Sequence, residues 1–102
     1  MAKLVVLYNP PVDPAAFDAY YESRHVPIAK RIPGLRALDI STGPVMTPAG
    51  PAPYHVVGTL SFDSMSALQT GLGSPEGQAA AADLANFASG GATLLLFEDK
   101  AL

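Results

Sequence analysis

The unbroken apolar run Leu4, Val5, Val6, Leu7, Tyr8, with its counterpart Leu94, Leu95, Leu96, Phe97 near the other end, constrains the fold more than any other feature of this sequence. Each run is too short for a packed helix and is bounded by breakers: Pro10 and Pro11 after the first, Gly90 and Gly91 before the second. Such runs read as strands. Side chains alternate between the two faces of a strand, so an apolar run without gaps puts apolar groups on both faces. The sheet that holds them therefore needs cover on both sides. With 102 residues, a second core would leave neither half able to hold itself together, so one domain over residues 1–102 is expected.

Between the two runs the punctuation is clear. Asp13 and Pro14 open a helix, the aspartate as N-cap and the proline at the first helical position, where its missing N–H costs nothing. The stripe Phe17, Tyr21, Ile28, Ile32 follows helical spacing and stops at Pro33 and Gly34. Residues 35–42 read as a strand, with Leu38 and Ile40 alternating against Ala37, Asp39 and Ser41. Residues 43–53 hold four prolines and two glycines, a loop expected to stay out of any sheet ladder. Residues 54–62 form a third strand, with Val56, Leu60 and Phe62 on one parity and His55, Val57, Thr59 and Ser61 on the other. Asp63 and Ser64 cap a helix carrying Met65, Leu68 and Leu72, which Gly71 and the Gly73, Ser74, Pro75 stretch are expected to break. A further helix restarts at Pro75 and runs to Ala88 with Leu84 and Phe87 inward.

The order is βαββαβ, the split pattern of ferredoxin-like α+β domains: a four-stranded antiparallel sheet with helices on one face. No helix remains for the other face. Each apolar side chain buried there is worth roughly 1.5–3 kcal/mol, which predicts a homodimer formed by packing sheet on sheet.

Composition narrows function. The hydrophobic fraction is 49% with only 15% charged residues, and the net charge is −3 with six scattered Lys and Arg, which argues against nucleic acid. Without cysteine there are no disulfides or thiolate metal sites, in keeping with a reducing, cytoplasmic setting. No apolar stretch approaches the ~20 residues of a membrane helix, and the first run is too short for a signal peptide.

Chemistry concentrates around Tyr20, Tyr21, Arg24 and His25. His25 follows Tyr21 by four residues and shares its face; with an ordinary pKa of about 6.5 it reads either as a group for proton transfer near neutrality or as a structural histidine bonded to a backbone carbonyl. Pro27 should kink the helix there. Tyr21 reads either as a hydrogen-bonding partner of a ligand or as a core residue with its hydroxyl at the rim. Arg24 reads as an anchor for a carboxylate or enolate, or as a solvated partner of Asp18 or Glu22. Asp39, His55 and Thr59, with Ser61, read either as lining a wet or ligand-bearing sheet face between two subunits or as pointing to solvent or the dimer rim, and Tyr8 as closing the pocket mouth or as an aromatic plug. His25, His55 and Asp39 have no diagnostic metal-ligand spacing, so no metal site is expected.

The residues Tyr8, Phe17, Tyr20, Tyr21, His25-Val26-Pro27 and Pro33-Gly34-Leu35, with Phe62-Asp63-Ser64, Ser74-Pro75-Glu76-Gly77-Gln78 and Asp83-Leu84-Ala85-Asn86-Phe87, resemble the EthD family over essentially the whole chain. The resemblance implies a dimeric α+β barrel, and a role in small-molecule metabolism of the kind associated with fuel-ether degradation. Proteins similar in fold include muconolactone-type isomerases, polyketide cyclases and cofactor-free monooxygenases. A reductase finds no support, because no glycine-rich dinucleotide fingerprint is present. The expectation is cofactor-independent acid/base chemistry (isomerase, cyclase or dehydratase type) on a small hydrophobic oxygenated ligand. His25 would move the proton, and Tyr21 with Arg24 would steady the oxyanion. The alternatives are a non-catalytic binder of a hydrophobic metabolite and a cofactor-free monooxygenase.

Overall fold

The computed structural model describes the whole chain, Met1–Leu102. Strand β1 (Ala2–Tyr8) leads to α1 (Pro14–Tyr20), a π-helical turn (Tyr21–His25) and α2 (Val26–Ala29). Then come β2 (Ala37–Ile40), the short β3 (Met46–Thr47) and β4 (Gly50–Pro51), and β5 (Val56–Phe62). Helices α3 (Met65–Gly73) and α4 (Pro75–Phe87) precede β6 (Ala92–Glu98). The main sheet has the order β2-β5-β1-β6 and is antiparallel throughout, so the two end runs lie side by side, Leu4 opposite Leu96 and Val6 opposite Leu94. This is the ferredoxin-like α+β fold.

Alternation divides β1 cleanly. Ala2, Leu4, Val6 and Tyr8 are buried under the helices with Leu60 and Phe62 of β5, while Lys3, Val5 and Leu7 are only partly covered on the open face. At the sheet edge, β6 is apolar on both sides and exposed on both: Leu94, Leu95, Leu96 and Phe97 keep 41–46% of their surface accessible. No helix is long and apolar enough to cross a membrane.

The caps follow the sequence. Asp13 accepts from the Ala16 N–H, Ser64 from Ala67 and Ser74 from Gly77. Three expectations need correction. Residues 43–53 carry a small ladder of their own, β3 with β4, pairing Thr47 with Gly50; Pro51 is tolerated because this ladder is all edge. Gly71 does not break α3. A Cβ there would stand 2.7 Å from the Pro33 carbonyl oxygen and 3.0 Å from Ile32 Cγ2, so the glycine lets the helix pack against the turn after α2. Finally, the interruption expected at Pro27 falls ahead of it, as a π-helical turn over Tyr21–His25, and it shapes the site.

Candidate active site

The interruption has a local cause. Ser23 Oγ donates to the Ala19 carbonyl at 2.6 Å, and Pro27 has no N–H to offer the carbonyl of Ser23. The turn widens, and the Val26 N–H reaches back five residues to the Tyr21 carbonyl. Single π turns of this kind are frequent at functional sites. Here the kink expected from Pro27 takes the form of a widened turn just ahead of it. Tyr21 and His25 are its buried residues, their ring centres 5.5 Å apart. Around them stand Tyr8 of β1, Phe17 of α1 and Phe87 of α4, with Phe87 4.7 Å from the imidazole and 5.7 Å from Tyr8.

His25 is 6% exposed and Asp83 of α4 is 5% exposed. Asp83 Oδ2 lies 2.9 Å from His25 Nδ1. Its other oxygen accepts from Tyr20 Oη at 2.7 Å and from Asn86 Nδ2 at 2.9 Å. Burial alone would raise the Asp83 carboxyl, but the donors Tyr20, Asn86 and His25 outweigh it and hold the group below the usual carboxylate range. An ionised carboxylate has no proton to give, so Nδ1–H of His25 must be the donor. In the neutral imidazole Nε2 then carries the lone pair. Asp83 thereby sets both the orientation and the tautomer of His25.

With Nδ1 turned to Asp83, Nε2 on the opposite ring edge has no hydrogen-bond partner within the chain. His25 lines a cavity of 50 Å³ in the seam between sheet and helices, walled by Leu4, Val6, Leu60, Ala80 and Leu84 together with Tyr8 and Tyr21. The Tyr21 hydroxyl reaches over β5 where Gly58 has no side chain; a Cβ there would be 3.1 Å from it. Burial, then the Tyr21 phenol beside it, raises Tyr8 far above the ordinary phenol value, and burial pushes Tyr21 up to about 12. Both phenols therefore stay protonated and act as hydrogen-bond donors rather than bases.

Of the residues singled out from the sequence, the structure brings Tyr8, Tyr21 and His25 together. Tyr8 is not at a mouth but is 2% exposed within the aromatic cluster. Arg24 is exposed, turned away from the His25 side of the helix, and forms no ion pair with Asp18 or Glu22. Asp39 and Thr59 are cross-strand partners on the open face, with Val5 in the same row, so the sheet lies between them and His25. Asp39 and Thr59 therefore stand on the open sheet face, as expected, but apart from His25. His55 departs in another way: β5 begins at Val56, so strand alternation does not govern it. Its ring stands edge-on to Phe17 at 4.9 Å, and Nε2 lies 2.7 Å from Asp18 Oδ1, on the helix side. No three His, Asp or Glu side chains converge as a metal site would require.

Asp83 was not singled out from the sequence. The signal was present: Ala80, Asp83 and Phe87 share a helical stripe, and an acid on a buried stripe must find donors.

Residues 9–91 match the EthD domain model. The chain belongs to the EthD family. An 11.0 kDa protein encoded in the thcB–thcC intergenic region of Rhodococcus erythropolis is 40% identical over 100 residues, covering 98% of this chain and 96% of that protein. The crystal structure of an ethyl tert-butyl ether degradation (EthD) family protein from Bacillus halodurans superimposes with a TM-score of 0.88 at 33% identity, covering 98% of this chain and 99% of the other. SnoaB, a cofactor-independent oxygenase from Streptomyces nogalater, shares the fold at 16% identity with a TM-score of 0.70, covering 99% of this chain and 94% of SnoaB.

Proposed function

We propose that this EthD protein is a cofactor-independent acid/base enzyme of small-molecule metabolism, acting on a compact, largely apolar oxygenated compound. The supporting observation is the buried His25–Asp83 pair on the wall of an apolar cavity. His25 Nε2 removes a proton from a carbon next to a carbonyl, or from a phenol, and can return it elsewhere on the same molecule. Asp83 stabilises the imidazolium that forms, and the Tyr21 phenol, backed by Tyr8, donates to the developing oxyanion. Arg24 has no part in this reading, because it faces solvent. Isomerisation, cyclisation and dehydration all run on this machinery.

The test is solvent deuterium incorporation into a panel of β-dicarbonyl compounds and lactones, followed by proton NMR. Wild-type protein should accelerate incorporation, and His25→Ala should abolish it with the fold intact by circular dichroism. Equal rates for the two proteins would reject the assignment.

The fold shared with SnoaB favours one second reading, a cofactor-free monooxygenase in which His25 ionises a phenolic substrate ahead of its reaction with dioxygen. Oxygen consumption with activated phenols distinguishes the two.

We propose further that residues 1–102 act as one unit and pair as a homodimer through the open sheet face. Val5, Leu7, Leu95 and Phe97 form an apolar band there beside Lys3, which is bonded to Ser61 at 3.0 Å. Such a dimer leaves the His25 cavity inside each protomer and covers Asp39 and Thr59.

A further inference from the structure

A cleft of 640 Å³, far larger than the His25 cavity, opens at the end of the sheet, between the first helical segment and residues 40–56. That volume falls in the roughly 300–1,000 Å³ range of sites that take small organic ligands. On the helix side of β5, Val56 belongs to the cleft and Leu60 to the inner cavity; on β2, Ile40 and Leu38 divide in the same way. Between the two spaces lies Gly58, opposite Ile40, with the Tyr21 hydroxyl over its bare backbone. Tyr21 is 4% exposed and lines both spaces. A ligand seated in the cleft is therefore in contact with the same phenol that faces His25.

The lining gives the chemistry of the occupant. Phe17, Pro44, Val45 and Pro51 offer flat or rigid apolar walls, suited to a ring. Asp18 and Glu22, one helical turn apart, supply carboxylates, and no Lys or Arg lines the cleft. The imidazole of His55 is already engaged by Asp18. Carboxylates accept hydrogen bonds from hydroxyl groups and repel anions. We infer that this cleft seats the body of the ligand, an uncharged hydroxyl-bearing ring compound, with acidic analogues excluded by Asp18 and Glu22. The inference names the substrate class for the acid/base reading and rests on that reading only for the step beyond Tyr21.

The experiment compares β-naphthol with β-naphthoate, matched in ring and different in charge, by calorimetric titration at neutral pH. Naphthol should bind, and naphthoate should bind roughly tenfold more weakly. The double variant Asp18→Asn, Glu22→Gln should bring the two affinities together. Val45→Trp, which fills the cleft from a loop far from the core, should abolish naphthol binding. Naphthoate binding as tightly as naphthol, unchanged discrimination in the double variant, or naphthol binding that survives Val45→Trp would each overturn the inference. So would absence of naphthol binding. The two claims separate by readout: the titrations test the cleft, and deuterium incorporation tests His25. Cleft binding without any wild-type incorporation would therefore sink the acid/base reading and leave the docking site standing.

Discussion

Asp83→Asn tests the central pair most directly. The carboxylate accepts three hydrogen bonds, from Tyr20, Asn86 and His25. An amide keeps one acceptor oxygen, which can still serve Tyr20 and Asn86, but turns an NH2 toward His25 Nδ1. Two donors then face each other. The conflict is relieved when the imidazole changes tautomer, so that Nδ1 accepts and Nε2 carries the proton. Hydrogen bonds to a charged group are worth about 1.5–3 kcal/mol and neutral ones about 0.5–1.5, so three bonds lose about 3 kcal/mol between them. Relief from burying a charge offsets part of that loss, leaving a net destabilisation of about 1–3 kcal/mol. The chemical cost is larger. A protonated Nε2 is no base, and a tautomer error of this kind lowers a rate by roughly two to four orders of magnitude. Long-range proton–nitrogen correlation spectra of His25 read the tautomer without any substrate. Wild-type protein should show Nδ1 protonated and the variant Nε2. If the variant keeps the wild-type tautomer, or if its deuterium incorporation matches wild type, the positioning role of Asp83 is wrong.

Other outcomes follow from the same geometry. Because Asp83 has a folded pKa below its unfolded value, its contribution to stability is complete above about pH 4 and is lost as pH falls through the depressed folded value. Urea unfolding as a function of pH should therefore show the gap between wild type and Asp83→Asn narrowing only in acid; a gap independent of pH would contradict this. Leu95→Asp with Phe97→Lys on the open face should shift the mass by light scattering from two chains to one while the circular dichroism spectrum is retained, and a wild-type protein of one-chain mass would reject the dimer. Gly71→Ala should lower stability by about 1–3 kcal/mol, because its Cβ meets the Pro33 carbonyl oxygen at 2.7 Å; an unchanged denaturation midpoint would show that the turn yields.

Much of the fold was readable because its signals are local. The cap residues Asp13, Ser64 and Ser74 act on N–H groups three residues away, and strand alternation is a property of successive residues. The two apolar end runs therefore announced a sheet with oily groups on both faces before any pairing was known. Where alternation stopped, the reading failed: His55 sits one residue outside β5 and turns to Asp18. Gly71 failed for a related reason, since a glycine required by a neighbouring carbonyl looks in sequence like a helix breaker.

Sequence alone determined that Tyr21 and His25 share one side of a helix and that Pro27 disturbs it, because helical geometry couples residues four apart. It could not determine which side of the sheet would carry the site. Tertiary packing decided that by laying α4 beside the π-helical turn, so that a carboxylate 58 residues further along meets the imidazole, and by leaving Asp39 and Thr59 behind the strands. Hydrogen bonds between distant segments leave no periodic trace along the chain, and only the folded arrangement makes Asp83 and His25 neighbours.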